Sequence, residues 1–345
     1  MARTWTADGR SHASSRLPSA SSAVFDLRCL HGYGELGCRH SLRMARSKGF
    51  KMNRFIRKIP LSFGQLLSSL FLSLIALMAL FPSVLVGTMD TIVTATGYPL
   101  APPSTEHWFG TDEVGRDVWN LIVHSARITM LVGLLASLLS TVLGTTVGVI
   151  SGYARGSVDN LLMRTADFFL VMPAFILAMV LAPMAIDFGG SKGAILGIRP
   201  TLLVTIVVIG ITSWAGTARI VRSQTLSLRS RPFVDRARVI GASHTRIVLR
   251  HILPNLVSLI VANTILTIVA AIWIETALSF IGLGDPFQPS WGTMLFSAQQ
   301  AGAAGAGAWW YVVTPGLAIV FVIVSLYSLS HSVTDLFGSR RKRVG

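Results

Sequence analysis

Three ionisable side chains lie within or beside long apolar runs, where a charge is costly and therefore marks a candidate functional site. Arg164 and Asp167 are three residues apart, so they share one face of a helix. We expect a local ion pair between them, with a gating contact to a partner subunit as the alternative. Glu275 lies about 28 Å along a helix that begins at Leu256. It either accepts structural hydrogen bonds or contacts a ligand.

The sequence lacks the motifs of several enzyme classes. No glycine-rich loop ends in Gly-Lys-Ser/Thr, so the chain is not expected to hydrolyse ATP itself. Neither a His-Glu pair at metal-ligand spacing nor a nucleophile elbow occurs, so we predict no catalytic residue, no metal site and no bound cofactor. The isolated histidines His107, His124 and His331 are interpreted as surface or interface residues. Cys29 and Cys38 precede the first apolar run, which excludes a disulfide-stapled scaffold.

The composition is that of a membrane protein. Of 345 residues, 52% are hydrophobic and 13% are charged, against about 25% charged in soluble domains. Six charge-poor runs are long enough to cross about 30 Å of hydrocarbon as helices. They are 66–88, 128–153, 168–186, 201–218, 256–283 and 309–329. Pro82, Pro173, Pro183 and Pro315 are expected to be tolerated, because neighbouring helices can satisfy a freed carbonyl. We predict an all-α, polytopic fold with six transmembrane helices.

The net charge of +15 indicates the orientation of these helices. Eight arginines stand between the fourth and fifth runs, opposed by Asp235 alone, and further basic clusters precede the first run and follow the last. Because Lys and Arg collect on the cytoplasmic side, we predict a multi-pass membrane protein with both termini in the cytoplasm. The basic excess is thus attributed to topology, and the partners expected include membrane lipid but no nucleic acid.

The chain divides into two regions. Residues 1–51 are rich in Ser and Arg and hold no apolar run of spanning length. They are interpreted as disordered, or as translated upstream sequence with initiation at Met44 or Met52; a cytoplasmic regulatory tail is the alternative. Residues 52–345 are predicted to form the six-helix domain, with a cytoplasmic loop at 219–255.

That loop contains the segment RPFVDRARVIGASHTRIVLRHILPN, residues 231–255. Pro232 can begin a helix, Asp235 in its first turn complements the helix dipole, and Gly241 gives a break before a second basic stretch that ends at Pro254. The result is a short helix across the membrane face. Physics alone leaves two roles open for it, which are anchoring on lipid headgroups and docking into a partner's groove.

This segment resembles the loop motif of the membrane permease subunits of binding-protein-dependent ABC importers, particularly the dipeptide and oligopeptide subfamily. Asp235, Arg236 and Ala237 stand at the motif's Glu-Ala-Ala positions and Gly241 at its glycine. Arg236 departs from the family's small residue. The resemblance implies that this is the coupling helix, which inserts into an ATPase subunit. The coupling positions it implies are Asp235, Ala237, Gly241, Ala242, Ser243, His251, Leu253, Pro254 and Asn255.

Other segments resemble the same subfamily, so that the resemblance covers nearly everything after residue 60. These are residues 107–130, 153–173, 277–295 and 309–319. They contain motif positions to which the resemblance gives no role: Asp112, Gly115, Arg116, Asp117, Arg164, Asp167, Glu275, Ser290, Trp291 and Gly292.

The resemblance implies a permease subunit of an ATP-driven importer for dipeptides or oligopeptides in the bacterial inner (plasma) membrane. Its partners would be a second, similar permease, two cytoplasmic ATPase subunits that use ATP and Mg, and an extracytoplasmic solute-binding protein. Nickel or glutathione import is the alternative within the family. An ion-gradient secondary transporter, or a channel or scaffold, is the alternative outside it. A secondary transporter would show inverted repeats and more intramembrane acids.

Overall fold

The described residues of this computed structural model are 63–87, 94–189, 199–285 and 288–341, and they contain helices but no β-strand. The proposed N-terminal extension, residues 1–51, lies outside them. The helices are α1 (Phe63–Leu80), α2 (Pro82–Val86), α3 (Val118–Ala154), α4 (Gly156–Val171), α5 (Ala174–Gly189), α6 (Pro200–Arg229), α7 (Pro232–Val239), α8 (His244–Ile247), α9 (Leu253–Leu278), α10 (Trp291–Gln300) and α11 (Trp309–Arg341). π-Helical turns at Val248–Ile252 and Ser279–Leu283 flank α9 and continue its path.

Four helical segments among the described residues are long and apolar enough to cross a membrane. They are Val118–Ala154, Pro200–Arg229, His244–Leu283 and Trp309–Val333. The pair α4 and α5 makes a fifth if the two are one span, and Gly64–Leu80 is a shorter apolar helix. The all-α, multi-pass fold is therefore confirmed, whereas the count of six spans stays a prediction.

Two predicted spans are interrupted at prolines. The third, 168–186, was expected to be continuous, but α4 ends at Val171 and α5 begins at Ala174, with a bend of 88° between them. Pro173 in this break has no N–H to donate and its ring obstructs a continuing helix. The first, 66–88, is divided at Phe81, and Pro82 begins α2. Pro82 and Pro173 thus coincide with breaks in the predicted spans, whereas Pro183 and Pro315 lie inside continuous helices.

The helices extend past their apolar runs. α3 begins ten residues before the predicted start at Ile128, because Asp117 caps it by accepting hydrogen bonds from the backbone N–H groups of Trp119 and Asn120. α6 continues from Ala218 to Arg229. A charged helical turn outside the hydrocarbon has water for its side chains, so hydropathy finds the buried part of a helix and not its ends.

A seam of glycines brings α3 and α6 into close contact. Gly144, Gly148 and Gly152 of α3 recur every four residues and face α6. A Cβ on Gly148 would lie 2.5 Å from the carbonyl oxygen of Ala218, and one on Gly144 would lie 2.6 Å from that of Trp214. Small residues at this spacing allow two helix backbones to approach in a membrane. The seam therefore fixes α3 and α6 against each other.

Candidate functional sites at the two ends of the bundle

The arginine-rich segment lies at one end of the bundle, which we call the arginine end (residues 219–255). α7 begins at Pro232, carries Asp235 in its first turn and ends at Val239. Gly241 follows with φ +83°, a left-handed conformation that favours glycine. Ser243 then caps α8 by accepting a hydrogen bond from the N–H of Arg246 (3.4 Å). The helix and the break predicted here are both present.

One face of α7 packs on the bundle. The side chains of Val234 and Ala237 are buried and join an apolar cluster to which five other elements contribute. Its other buried members are Val149 of α3, Val221 and Leu228 of α6, Ile247 of α8, Ile252 of the π-helical turn and Leu256 of α9. Burial of these two side chains holds α7 on the ends of the long helices.

The opposite face of α7 is exposed. Val239 and the following Ile240 are 88% and 84% exposed, and Phe233 is partly so. Asp235 Oδ1 accepts a hydrogen bond from Arg238 Nη1 at 2.8 Å, an ion pair within the helix. α7 therefore presents an apolar tip and a row of charges away from the bundle.

A second set of contacts joins the arginine end to α3. The hydroxyl of Tyr153 lies 2.8 Å from His244 Nδ1, and the Arg229 guanidinium donates to the Tyr153 carbonyl and covers its ring at 5.3 Å. These three residues were not predicted to interact. A single tyrosine of α3 thus contacts the segments on both sides of α7.

The remaining motif positions lie where the chain re-enters the bundle. Pro254 has no N–H to donate to the carbonyl four residues before it, and the chain preceding it widens into the π-helical turn. The Asn255 side chain donates to the carbonyl of His251 at 2.7 Å. His251, Leu253, Pro254 and Asn255 thus shape the start of α9.

Two aspartate–arginine pairs connect α4 and α6. Asp167 Oδ1 lies 2.5 Å from Arg219 Nη2, so Asp167 forms its ion pair with α6. The ion pair with Arg164, which the three-residue spacing predicts, is not formed. Asp159 accepts from both Nε and Nη2 of Arg222 at 2.6 Å each, and also from the Ser151 hydroxyl. Asp159 was missed. The sequence does place an acid there, but nothing in its spacing shows that it faces α6.

At the other end of the bundle, residues 94–117 form a folded loop. Asp112 is fully buried; its Oδ1 accepts from the N–H groups of Val114 (2.9 Å) and Arg116 (2.8 Å), and its Oδ2 from Arg116 Nε (2.6 Å). Gly115 has φ +92°, and a Cβ there would lie 2.2 Å from the carbonyl oxygen of Gly97. Asp117 caps α3 and its Oδ2 lies 2.9 Å from His107 Nδ1. These motif residues hold the loop together.

Glu275 is enclosed close to this end. It is 3% exposed, and its Oε1 accepts from the Ser279 hydroxyl at 2.8 Å. Glu275 and Asp285 line one small cavity of about 10 Å³, which is at most the space of a single water. Of the two interpretations, the structure supports hydrogen bonding within the fold.

Ser290, Trp291 and Gly292 form the start of α10. Ser290 caps the helix in a reciprocal arrangement with Thr293. The buried Trp291 donates from Nε1 to the Ile122 carbonyl at 3.1 Å, and a Cβ on Gly292 would lie 2.7 Å from the Thr276 carbonyl oxygen. These three residues pack α10 against α3 and α9. Among the described residues, no group of three or more His, Cys, Asp or Glu side chains could hold a metal ion.

Long apolar helical segments, a bent helix pair and folded loops at both ends define the class as a multi-pass α-helical membrane protein. Residues 144–343 match the family described as binding-protein-dependent transport system inner membrane component, and the chain belongs to it. It is a membrane permease component of that transport class.

The chain is similar to curated proteins over most of its length. It is 37% identical over 255 residues to the "probable peptide ABC transporter permease protein y4tQ" of Sinorhizobium fredii, covering 74% of this chain and 82% of that protein. It is 32% identical to the "dipeptide transport system permease protein DppC" of Bacillus subtilis, covering 70% and 71%. A chain from the inward-facing MetNI methionine ABC transporter aligns with a TM-score of 0.47 and 17% identity, over 62% of this chain and 96% of that one.

Proposed function

We propose that this chain is a permease subunit of an ATP-driven importer for dipeptides or oligopeptides. Family membership gives the transport class, and the names of the relatives in Sinorhizobium and Bacillus support peptide as the substrate. A second, similar permease would complete the translocation path, and an extracytoplasmic solute-binding protein would deliver the peptide to it. Two ATPase subunits would bind and hydrolyse ATP with Mg on the cytoplasmic side.

The proposed orientation places the arginine end in the cytoplasm. Eight arginines and one aspartate lie between Arg219 and Asn255, whereas the folded loop at 94–117 carries more acids than bases. This asymmetry supports cytoplasmic termini by the positive-inside rule.

The lengths of the helical segments that lead to and from α7 are the observation that carries the proposal. The charge-free part of α6, from Pro200 to Ala218, is about 28 Å long and matches the hydrocarbon thickness. Arg229, at the end of α6, lies about 15 Å beyond Arg219, and His244 lies about 9 Å beyond Arg250 on the returning helix. The headgroup layer is roughly 5–8 Å thick on each side. In the proposed orientation, both ends of α7 lie beyond that layer. We infer that the exposed tip of α7, Val239 and Ile240, contacts protein rather than lipid.

We assign the coupling role to this segment. Its buried face, Val234 and Ala237, joins α7 to the ends of α3, α6 and α9, so a force applied to the tip reaches these helices through close packing. Closure of the ATPase subunits on ATP would move α7 and switch the permease pair between inward-open and outward-open states. The coupling positions are Asp235, Ala237, Gly241, Ala242, Ser243, His251, Leu253, Pro254 and Asn255.

Substitutions at the exposed tip test this role. We expect Ile240→Asp, and charge reversal by Asp235→Arg, to abolish uptake of a radiolabelled dipeptide while membrane insertion stays intact. A carboxylate at the tip would be desolvated without a partner in an apolar groove. Ser157→Asp, at the start of α4, is a control, since Ser157 is also exposed but lies outside the arginine end. Undiminished uptake and ATPase coupling in the tip variants would refute the coupling role.

A further inference from the structure

A cleft of about 550 Å³ lies beside α7, at the junction of α6, α7 and α9. Its lining consists of Leu228, Arg231, Pro232, Phe233, Arg236 and Asn255. Two of the six are arginines, and both are exposed. The cleft is therefore a cationic opening in a surface that faces the cytoplasm.

The charges of the cleft are not balanced within the described part of the chain. Asp235, the one acid of the arginine end, already pairs with Arg238 at 2.8 Å. Neither Arg231 nor Arg236 has an ion pair or side-chain hydrogen bond among the described residues. Two guanidinium groups beside one cleft repel each other unless an anion lies between them.

We propose that this cleft binds a carboxylate side chain of the ATPase subunit, held between Arg231 and Arg236. The inference rests on the proposed function, because it adds a specific contact to the docking of α7. Arg236 stands where the resemblance leads one to expect a small residue, so this contact belongs to the individual chain and its own ATPase.

The chemistry of the lining suits a carboxylate. A guanidinium presents planar N–H groups that match the two oxygens of a carboxylate, and such pairs are stronger than neutral hydrogen bonds. The Asn255 amide uses one N–H for the His251 carbonyl and has a second to offer. Phe233 adds an apolar wall that excludes water from one side of the pair. A lipid phosphate is disfavoured, because α7 lies beyond the headgroup layer.

A zero-length cross-link tests the contact directly. Residues 219–255 contain no lysine, so Arg236→Lys introduces the single side-chain amine of that segment. A carbodiimide joins an amine only to a carboxylate at ion-pair distance. In the assembled transporter, expressed with its own ATPase and in its native membrane, we expect the R236K chain to be cross-linked to an Asp or Glu of the ATPase subunit. Peptide mass spectrometry identifies the joined residues.

The matched control is Arg155→Lys, an exposed arginine on the turn between α3 and α4 and outside the cleft. It should give no such product. A cross-link from R236K only to Asp235 of the same chain, or only to lipid, would overturn the proposal. Arg236→Glu should lower peptide uptake about tenfold or more, because its carboxylate would repel the carboxylate of the ATPase subunit. R236K keeps the positive charge and should retain most of the uptake.

A photo-cross-linker at Ile240→Cys, in a chain whose Cys29 and Cys38 are replaced by Ser, separates the two proposals. If it labels the ATPase subunit and R236K gives no cross-link, then α7 docks but the carboxylate contact is absent. If neither position reaches the ATPase subunit, the coupling role itself is wrong.

Discussion

The two aspartate–arginine pairs between α4 and α6 differ in burial, and this difference decides what each contributes. Asp159 has a side chain 10% exposed and accepts three hydrogen bonds, whereas the side chains of Asp167 and Arg219 are both about half exposed. An exposed pair gains little because water and salt screen it. Removing one partner of a buried pair leaves an uncompensated charge.

We predict that Asp159→Asn destabilises the protein by about 1–3 kcal/mol, since hydrogen bonds to a charged group are lost and Arg222 is only a third exposed. Asp167→Asn, the matched variant on the same helix pair, should cost about 0–1 kcal/mol. Thermal unfolding of the two variants in the same detergent measures the difference. Equal losses would show that the buried pair is not the stronger of the two.

At the residue scale, the important side chains could be predicted from the sequence, but most of their contacts could not. Asp112, Gly115, Arg116 and Asp117 were predicted only as motif positions, and the structure makes them one hydrogen-bonded loop. The pairing of Asp167 was predicted within its own helix because local spacing is visible in a sequence. The cross-helix partner Arg219 is 52 residues away, and its position depends on how α4 and α6 pack.

The glycine seam between α3 and α6 gives a prediction at the scale of the element. Gly148→Ala should destabilise the protein by about 1–3 kcal/mol, because its Cβ would meet the backbone oxygen of Ala218 at 2.5 Å. Gly216→Ala on α6 is the control, since a Cβ there meets nothing within 4 Å. Its unfolding midpoint should be unchanged or slightly raised. Equal unfolding midpoints for the two variants would show that the seam is not a close contact.

The break after α7, at Gly241, gives a second prediction at the scale of the element. At Gly241 a Cβ meets nothing within 4 Å, so the cost of a side chain there comes from the backbone angle alone. Gly241→Val should cost about 1–2 kcal/mol of local strain and lower dipeptide uptake, with membrane insertion unchanged. Gly241→Asn should retain most uptake, because Asn tolerates the left-handed conformation. Similar uptake by the two variants would show that φ at this position does not matter.

The folded loop at 94–117 gives a third prediction at the scale of the element. Gly115→Ala combines left-handed strain with a 2.2 Å approach to the Gly97 carbonyl oxygen, so we expect the loop to open. A strain of about 1.4 kcal/mol raises the open population tenfold. Trypsin added outside oriented vesicles should then cleave after Arg116 about tenfold faster or more. Val114→Ala, at a half-exposed position, should leave the rate unchanged.

For the whole molecule, hydropathy predicted a multi-pass helical protein but not where its helices break. Pro82 and Pro173 coincide with breaks, whereas Pro183 and Pro315 lie within helices. All four look alike in the sequence. Whether a helix continues through a proline depends on whether neighbours satisfy the freed carbonyl, and that is a property of the packed bundle.

The orientation is the prediction at this scale. In a chain whose Cys29 and Cys38 are replaced by Ser, a membrane-impermeant maleimide should label Glu106→Cys in intact cells. It should label Ser227→Cys only after the membrane is opened. Both positions are exposed, so accessibility depends on the side of the membrane. Labelling of Ser227→Cys from outside would reverse the proposed topology.

The glycine seam also bears on the order in which the protein is made. α3 leaves the ribosome before α6, with α4 and α5 synthesised between them. Until α6 is synthesised, the groove that receives Thr217, Val221 and Thr225 has no helix packed in it. The first three apolar segments therefore do not form a finished unit, and a nascent chain that stops before Pro200 presents the unfilled groove to the chaperones and proteases of the membrane.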